Sequence, residues 1–254
     1  MKNYYVKFVL LALLFSSCVP KKEILYLQGS QNAENNSTNY EPLIQKDDLL
    51  YINISSSQAE AVAPFNLDSQ SRDLSSSTSS FSHQKQTYLV DNLGNIEFPI
   101  IGTINAAGYS VNEFRDFLKL KLKDYVSDAV INVRITNFKV TVTGEVANPG
   151  VVSTNSQRFT LFDALAMTGD LTLYARRDNI LIVRDFQGIK TYNRVDITQA
   201  DFVNSPFYYL DQNDLIYVEP RKSKIDSTAI GANIPFIVSV VGLLLTTTLI
   251  LTTK

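Results

Sequence analysis

The sequence predicts an α+β fold of two small units, closed by an apolar helix. Three observations carry this. Short runs of alternating apolar and polar residues, such as Ile131–Thr136 and Val140–Thr143, follow one well-capped amphipathic helix over 111–126. A second strand and helix set follows, with a cap pair at Thr160 and Asp163. The stretch 227–253 then carries no charged residue.

The bulk composition excludes several classes. The chain has 254 residues, enough for one large or two small domains. Its net charge of −2 gives no reason to expect a nucleic-acid partner. One cysteine and one histidine, His83, cannot build a His/Cys metal cage, and no disulfide can form within the chain. Neither a metal nor another cofactor is expected.

Both ends seek a membrane. Lys2 and Lys7, the run Phe8–Phe15 and Ser16-Ser17 before Cys18 have a signal-peptide layout. Phe15 suits ordinary cleavage before Cys18 poorly, whereas small residues directly before a cysteine suit lipidation of Cys18. Ser17 stands where Gly or Ala is commoner. The other reading is a secreted protein with a free thiol. Residues 1–17 are then a lipoprotein signal and 18–40 a tether, with a short strand at Ile24–Leu27 and a polar Asn/Ser-rich run behind it.

The first unit is expected over 41–136. Lys46-Asp47-Asp48 is a turn, and Leu50–Ile54 alternates as a half-buried strand does. Ser69–Ser82 holds eight serines, too few apolar groups to offset the entropy of ordering, so 66–86 reads as an inserted loop. Asn92-Leu93-Gly94 turns between two short apolar runs. Ser110 and Glu113 form a capping box, and Phe114, Phe117, Leu118, Leu122 and Tyr125 make one apolar stripe. Lys119, Lys121 and Lys123 diverge around the helix and read as solvated.

The second unit is expected over 137–222. Asn148-Pro149-Gly150 turns the chain, a helix runs from Thr160 to a C-capping Gly169, and strands occupy Asn179–Arg184 and Lys190–Arg194. Ile197–Phe202 is ambiguous, and Leu215–Val218 is the closing strand. Arg176-Arg177, just before a strand, either grip an anionic sugar or belong to a solvated turn. Residues 223–254 contain Ile234–Leu251, about one bilayer core in helical length. Ser239, Gly242, Thr246 and Thr253 align a small, partly polar stripe there. They either bond to their own helix carbonyls in a plain anchor or pack against copies of the helix.

Asp91, Gly94, Pro99, Gly102 and Tyr125, followed by Gly144-Glu145-Val146 and Pro149-Gly150, resemble in order and spacing the polysaccharide biosynthesis/export family of outer-membrane lipoproteins. The resemblance covers roughly 41–220. It departs at Asp47, where the family carries Gly. It implies an export domain, then one soluble-ligand-binding β-grasp module, then a membrane helix that joins identical helices in a ring. The implied function is an oligomeric channel for capsular or extracellular polysaccharide. The implied partners are copies of the chain, the exported polymer, the outer membrane and an inner-membrane co-polymerase of the tyrosine-kinase type. A glycan-docking module without its own pore is the alternative. An enzyme would need an acid and a base across a cleft. The acids here sit mainly at turns and helix starts, so no catalytic residue is assigned.

Overall fold

A computed structural model of the chain describes residues 21–29, 40–67, 86–186, 188–225 and 234–252. The signal segment with Cys18, the serine-rich run with His83, and Thr253 lie outside the described residues.

The first unit is built on a three-stranded antiparallel sheet. β1 (Leu49–Ser55) lies at its centre, between β2 (Tyr88–Leu89) and β5 (Val130–Ile135). Alternation sets the faces. Leu50, Ile52 and Ile54 are buried on β1, as are Ile131, Val133 and Ile135 on β5. A short helix not foreseen from sequence, α1 (Ala59–Val62), follows β1. β3 (Asn95–Phe98) and β4 (Gly102–Asn105) form a hairpin that turns through 99–101. α2 (Val111–Leu122) packs on β5.

The capping box of α2 is present. Glu113 N–H donates to Ser110 Oγ at 3.2 Å, and Ser110 N–H donates to Glu113 Oε2 at 2.8 Å. Phe114, Leu118 and Leu122 are fully buried. Phe117 is only half-buried, and Tyr125 lies beyond the helix end, 57% exposed. The apolar stripe is thus narrower than its five residues suggest, because α2 stops three residues before Tyr125. Phe114→Ala should cost about 3–5 kcal/mol and Phe117→Ala clearly less, read from urea unfolding midpoints. Equal losses would mean that the packed face is misassigned.

The second unit is a five-stranded mixed sheet with strand order β7-β6-β10-β8-β9. Its strands are β6 (Lys139–Gly144), β7 (Gly150–Ser153), β8 (Ala175–Phe186), β9 (Ile189–Val195) and β10 (Leu215–Pro220). Only β6 and β10 run parallel. α3 (Leu161–Met167) carries its own capping box through Thr160 and Asp163 and packs near β6. β8 begins at Ala175, so Arg176 and Arg177 lie inside the strand instead of before it. The ambiguous stretch before β10 contains a 3-10 turn, Ala200–Asn204. The buried apolar residues form one continuous cluster from Ile44 to Val218, so the two sheets share a core.

Residues 21–29 of the expected tether are docked on the second unit, while 30–39 lie outside the described residues. Lys21–Glu23 is a 3-10 turn, and Gln28 makes a single parallel bridge with Gln199 in place of a strand at Ile24–Leu27. Leu27 N–H donates to Ile197 O at 3.1 Å. Tyr26 donates to Asp170 Oδ1 at 2.7 Å and packs its edge on Phe162. These contacts join residues far apart in the chain, 144 positions for Tyr26 and Asp170, which local composition cannot report.

At the other end α4 (Ile234–Thr252) is a 19-residue helix. The expected membrane span is corrected here: among the described residues, no helix is long and apolar enough to cross a membrane. Pro235, Ser239 and the Thr246-Thr247-Thr248 run interrupt the apolar stretch. Thr246 Oγ1 donates to Gly242 O at 3.0 Å and Thr247 Oγ1 to Leu244 O at 2.9 Å, so these hydroxyls turn back on their own helix.

Candidate functional site

The signature residues form two groups. The first is a turn in the first unit. Asp91 Oδ1 accepts from the N–H groups of Leu93 and Asn95, both at 2.8 Å, which closes the turn before β3. Gly94 completes it with φ +88, and a Cβ there would lie 2.8 Å from Ala107 Cβ. Pro99 O accepts from Ile101 N–H at 2.7 Å in the bend that leads to Gly102, the first residue of β4. These residues shape backbone and present no reactive side chain.

The second group reaches the end of the chain. Gly144 closes β6 at φ +94, where a Cβ would meet Val218 O at 2.1 Å. The tight approach lets Glu145 N–H donate to Val218 O at 2.9 Å. Val146 bridges to Leu171, and Pro149-Gly150 turns the chain into β7. The Glu145 side chain is thereby buried at one corner of the unit. Its Oε2 accepts from Lys224 Nζ at 2.5 Å and its Oε1 from Thr172 Oγ1 at 2.6 Å. The hydrogen bond from Lys224, then that from Thr172, holds the Glu145 carboxyl below its ordinary pKa. Lys224 lies ten residues before α4, so this motif glutamate ties down the segment that leads into the last helix. Sequence reasoning identified Glu145 only as part of a turn, since nothing in the local pattern points to Lys224.

At the same corner Arg221 is buried and fixed by backbone. Its Nε donates to Ala175 O at 3.1 Å, its Nη2 to Glu23 O, and its own N–H to Tyr174 O at 2.7 Å. The docked N-terminal segment and the segment leading to α4 therefore meet at Glu23 and Arg221. A groove of about 960 Å³ opens between them, lined among others by Lys22, Arg176, Arg221 and Lys222.

Arg176 borders this groove but is held by Asp178 and Glu219, each at 3.2 Å. Arg177 is a correction. It is only 4% exposed and donates to Ala175 O and Leu171 O, with its guanidinium over the Tyr26 ring. A sugar has no access to it there. It turns inward because alternate residues of β8 face opposite sides, a consequence of β8 starting earlier than expected.

A third cluster fixes the junction of the two units. Arg184 makes a forked contact with the fully buried Asp214, at 2.7 and 3.0 Å, and pairs with Asp211 at 2.9 Å. Tyr40 donates to Leu210 O at 2.8 Å and to Asp211 Oδ1 at 2.5 Å, and stacks on Tyr209. Burial, then the charge of Asp211, raises the Tyr40 phenol well above its ordinary pKa. Asn137 joins both sides, with Oδ1 accepting from Leu49 N–H and Nδ2 donating to Asp47 O, both at 2.9 Å.

Asp48 is fully buried beside this junction. Its Oδ2 accepts from Gln45 N–H at 2.8 Å, while its Oδ1 makes no hydrogen bond among the described residues. Burial pushes its pKa up to about 6; the Gln45 N–H opposes this only in part, and Asp47 adds to it. The folded state thus holds the Asp48 proton more tightly than the unfolded chain. The associated stability is full below about pH 4 and is lost as pH rises through about 6. Asp48→Asn should therefore stabilise the protein by about 1–3 kcal/mol at pH 8 and by little at pH 4. A pH-independent effect in thermal unfolding would contradict this.

Among the described residues no group of His, Cys, Asp and Glu is arranged to hold a metal ion.

Comparison with known proteins agrees with this architecture. The model of the polysaccharide biosynthesis/export protein family matches residues 36–136, and that of the SLBB domain matches 139–193. An EPS I polysaccharide export outer membrane protein, EpsA, of Ralstonia solanacearum is 29% identical over 138 residues, 53% of this chain and 36% of the relative. The protein of that name from Ralstonia nicotianae is 36% identical over 87 residues, 33% of this chain and 23% of the relative. The matched stretches thus span about a third or less of these relatives' length. Residues 36–136 thus match an export domain of the polysaccharide biosynthesis/export family and residues 139–193 an SLBB domain, and the two follow each other on a shared core.

Proposed function

We propose that this chain is a lipid-anchored subunit of an oligomeric outer-membrane conduit for capsular or extracellular polysaccharide. The observation that carries the reading is the order of export domain and SLBB domain, shared with relatives named as polysaccharide export outer membrane proteins. We assign 41–136 to the export domain, 137–222 to the SLBB module and Cys18 to the lipid. The role is transport without catalysis. The polymer, copies of the chain and an inner-membrane co-polymerase are its partners.

The geometry supports this in one respect. Both chain ends leave the SLBB module at a single corner, the Glu23–Arg221 and Glu145–Lys224 contacts, as attachment of both to one surface requires. α4 exposes Phe236, Val238, Leu243 and Leu244, an apolar surface that association with lipid or with copies of the helix would cover. A docking module without its own pore is favoured by one observation: the Thr246 and Thr247 hydroxyls are spent within their own helix.

The test is to image the detergent-extracted protein and to label Cys18→Ala cells with a fatty-acid probe. Rings, together with loss of label in the variant, are the expected result. Unchanged labelling would remove the lipid anchor. Monomers that still support export would leave the docking role.

A further inference from the structure

The groove between the two chain ends contains charge that the module does not use. Three carboxylates line it, and each is engaged. Glu23 lies 3.2 Å from Arg221, and Asp178 lies 3.2 Å from Arg176. Asp196 accepts from Thr198 N–H at 2.8 Å and from Thr198 Oγ1 at 2.6 Å. Lys22 and Lys222 have no ion-pair partner among the described residues, and both are exposed at the groove. Arg221, only 9% exposed, holds its Nη1 3.2 Å from Glu23 Oε2 as an ion pair, so it neutralises that carboxylate. Two exposed lysines without carboxylate partners, at a groove whose own carboxylates are all engaged, attract an anion.

The position of the groove narrows the choice of anion. Lys22 lies four residues from Cys18, at most about 14 Å of extended chain. If Cys18 carries acyl chains, the groove sits at the headgroup layer, which extends about 5–8 Å beyond each side of the hydrocarbon core.

We propose that the groove binds the phosphodiester headgroup of an anionic phospholipid through Lys22 and Lys222. This rests on the lipidation of Cys18 only for the groove's nearness to the membrane. Lysines suit phosphate as point charges. Gln199 lines the same groove. The bound lipid would fix the SLBB module against the leaflet at the corner where both chain ends leave it.

The experiment uses the full chain in neutral detergent micelles doped with phosphatidylglycerol or phosphatidylcholine, with bound lipid counted by native mass spectrometry. Phosphatidylglycerol should be retained at least tenfold over phosphatidylcholine. The double variant Lys22→Gln/Lys222→Gln should lose at least fivefold of that retention, with Cys18 acylation and circular dichroism unchanged. Lys119→Gln/Lys123→Gln, exposed at the C-terminal end of α2 and its cap, should retain lipid as the parent does. Equal retention of the two lipids, or equal losses in the two double variants, would overturn the proposal. So would lysine-dependent binding of oligogalacturonate in place of phosphatidylglycerol, which would assign the groove to an acidic glycan. Failure of acylation at Cys18 is read separately, from the intact mass, and bears on the anchor alone.

Discussion

Gly144→Ala is expected to cost at least about 3 kcal/mol, and at growth temperature to leave little folded protein. Two effects add. At φ +94 any side chain is strained, by about 1–3 kcal/mol. The new Cβ would also stand 2.1 Å from Val218 O, with Val218 C at 2.9 Å. That neighbour is backbone of β10, the strand that pairs with β6 on one side and β8 on the other. It cannot yield without opening the parallel register from Leu215 to Val218. Gly150→Ala is the control. No atom lies within 4 Å of its Cβ, so a change within about 0.5 kcal/mol is expected. Urea unfolding midpoints of the two variants in detergent decide the matter, and similar midpoints would refute the close approach. Loss at Gly144 should also release Glu145, and with it Lys224. The segment leading into α4 should then become sensitive to protease in whatever folded fraction remains.

Asp214→Ala is the second large effect, expected at about 3–5 kcal/mol. Asp214 is fully buried, accepts the forked contact of Arg184 and also accepts from Asp211 N–H at 2.8 Å. Removing the carboxylate strands a largely buried guanidinium and opens the turn before β10 at once. Asp214→Asn keeps an acceptor for the Asp211 N–H and loses only the charge, so its cost should be clearly smaller. If the two variants unfold alike, the turn contact would matter little and the ion pair would carry the effect. Tyr40 depends on the same cluster through Asp211 and Leu210. The Ala variant should therefore also loosen the first unit against the second, seen as faster amide exchange at Tyr40 and Leu210. Exchange confined to the turn around Asp211 would show that the junction is held by the shared core alone.

What the sequence determined by itself was local. The capping boxes at Ser110 and Thr160, the alternation of β1, β5 and β6, and the turns at Gly94 and Gly150 all depend on residues a few positions apart. Such patterns can be read from periodicity and turn chemistry. The order of family residues from Asp91 to Gly150 likewise sufficed to identify the export and SLBB domains.

The tertiary structure decided what depends on long-range contact. It turned Arg177 inward, because the face of a strand residue depends on where the strand starts. It docked Tyr26 and Gln28 on the second unit, a pairing that short polar neighbours disguised as a tether. It gave Glu145 its partner Lys224, 79 residues away. It narrowed the stripe of α2, since the helix ended before Tyr125. The groove at Lys22 and Lys222 exists only because the two chain ends converge, and convergence is a property of packing, with no period or spacing to announce it.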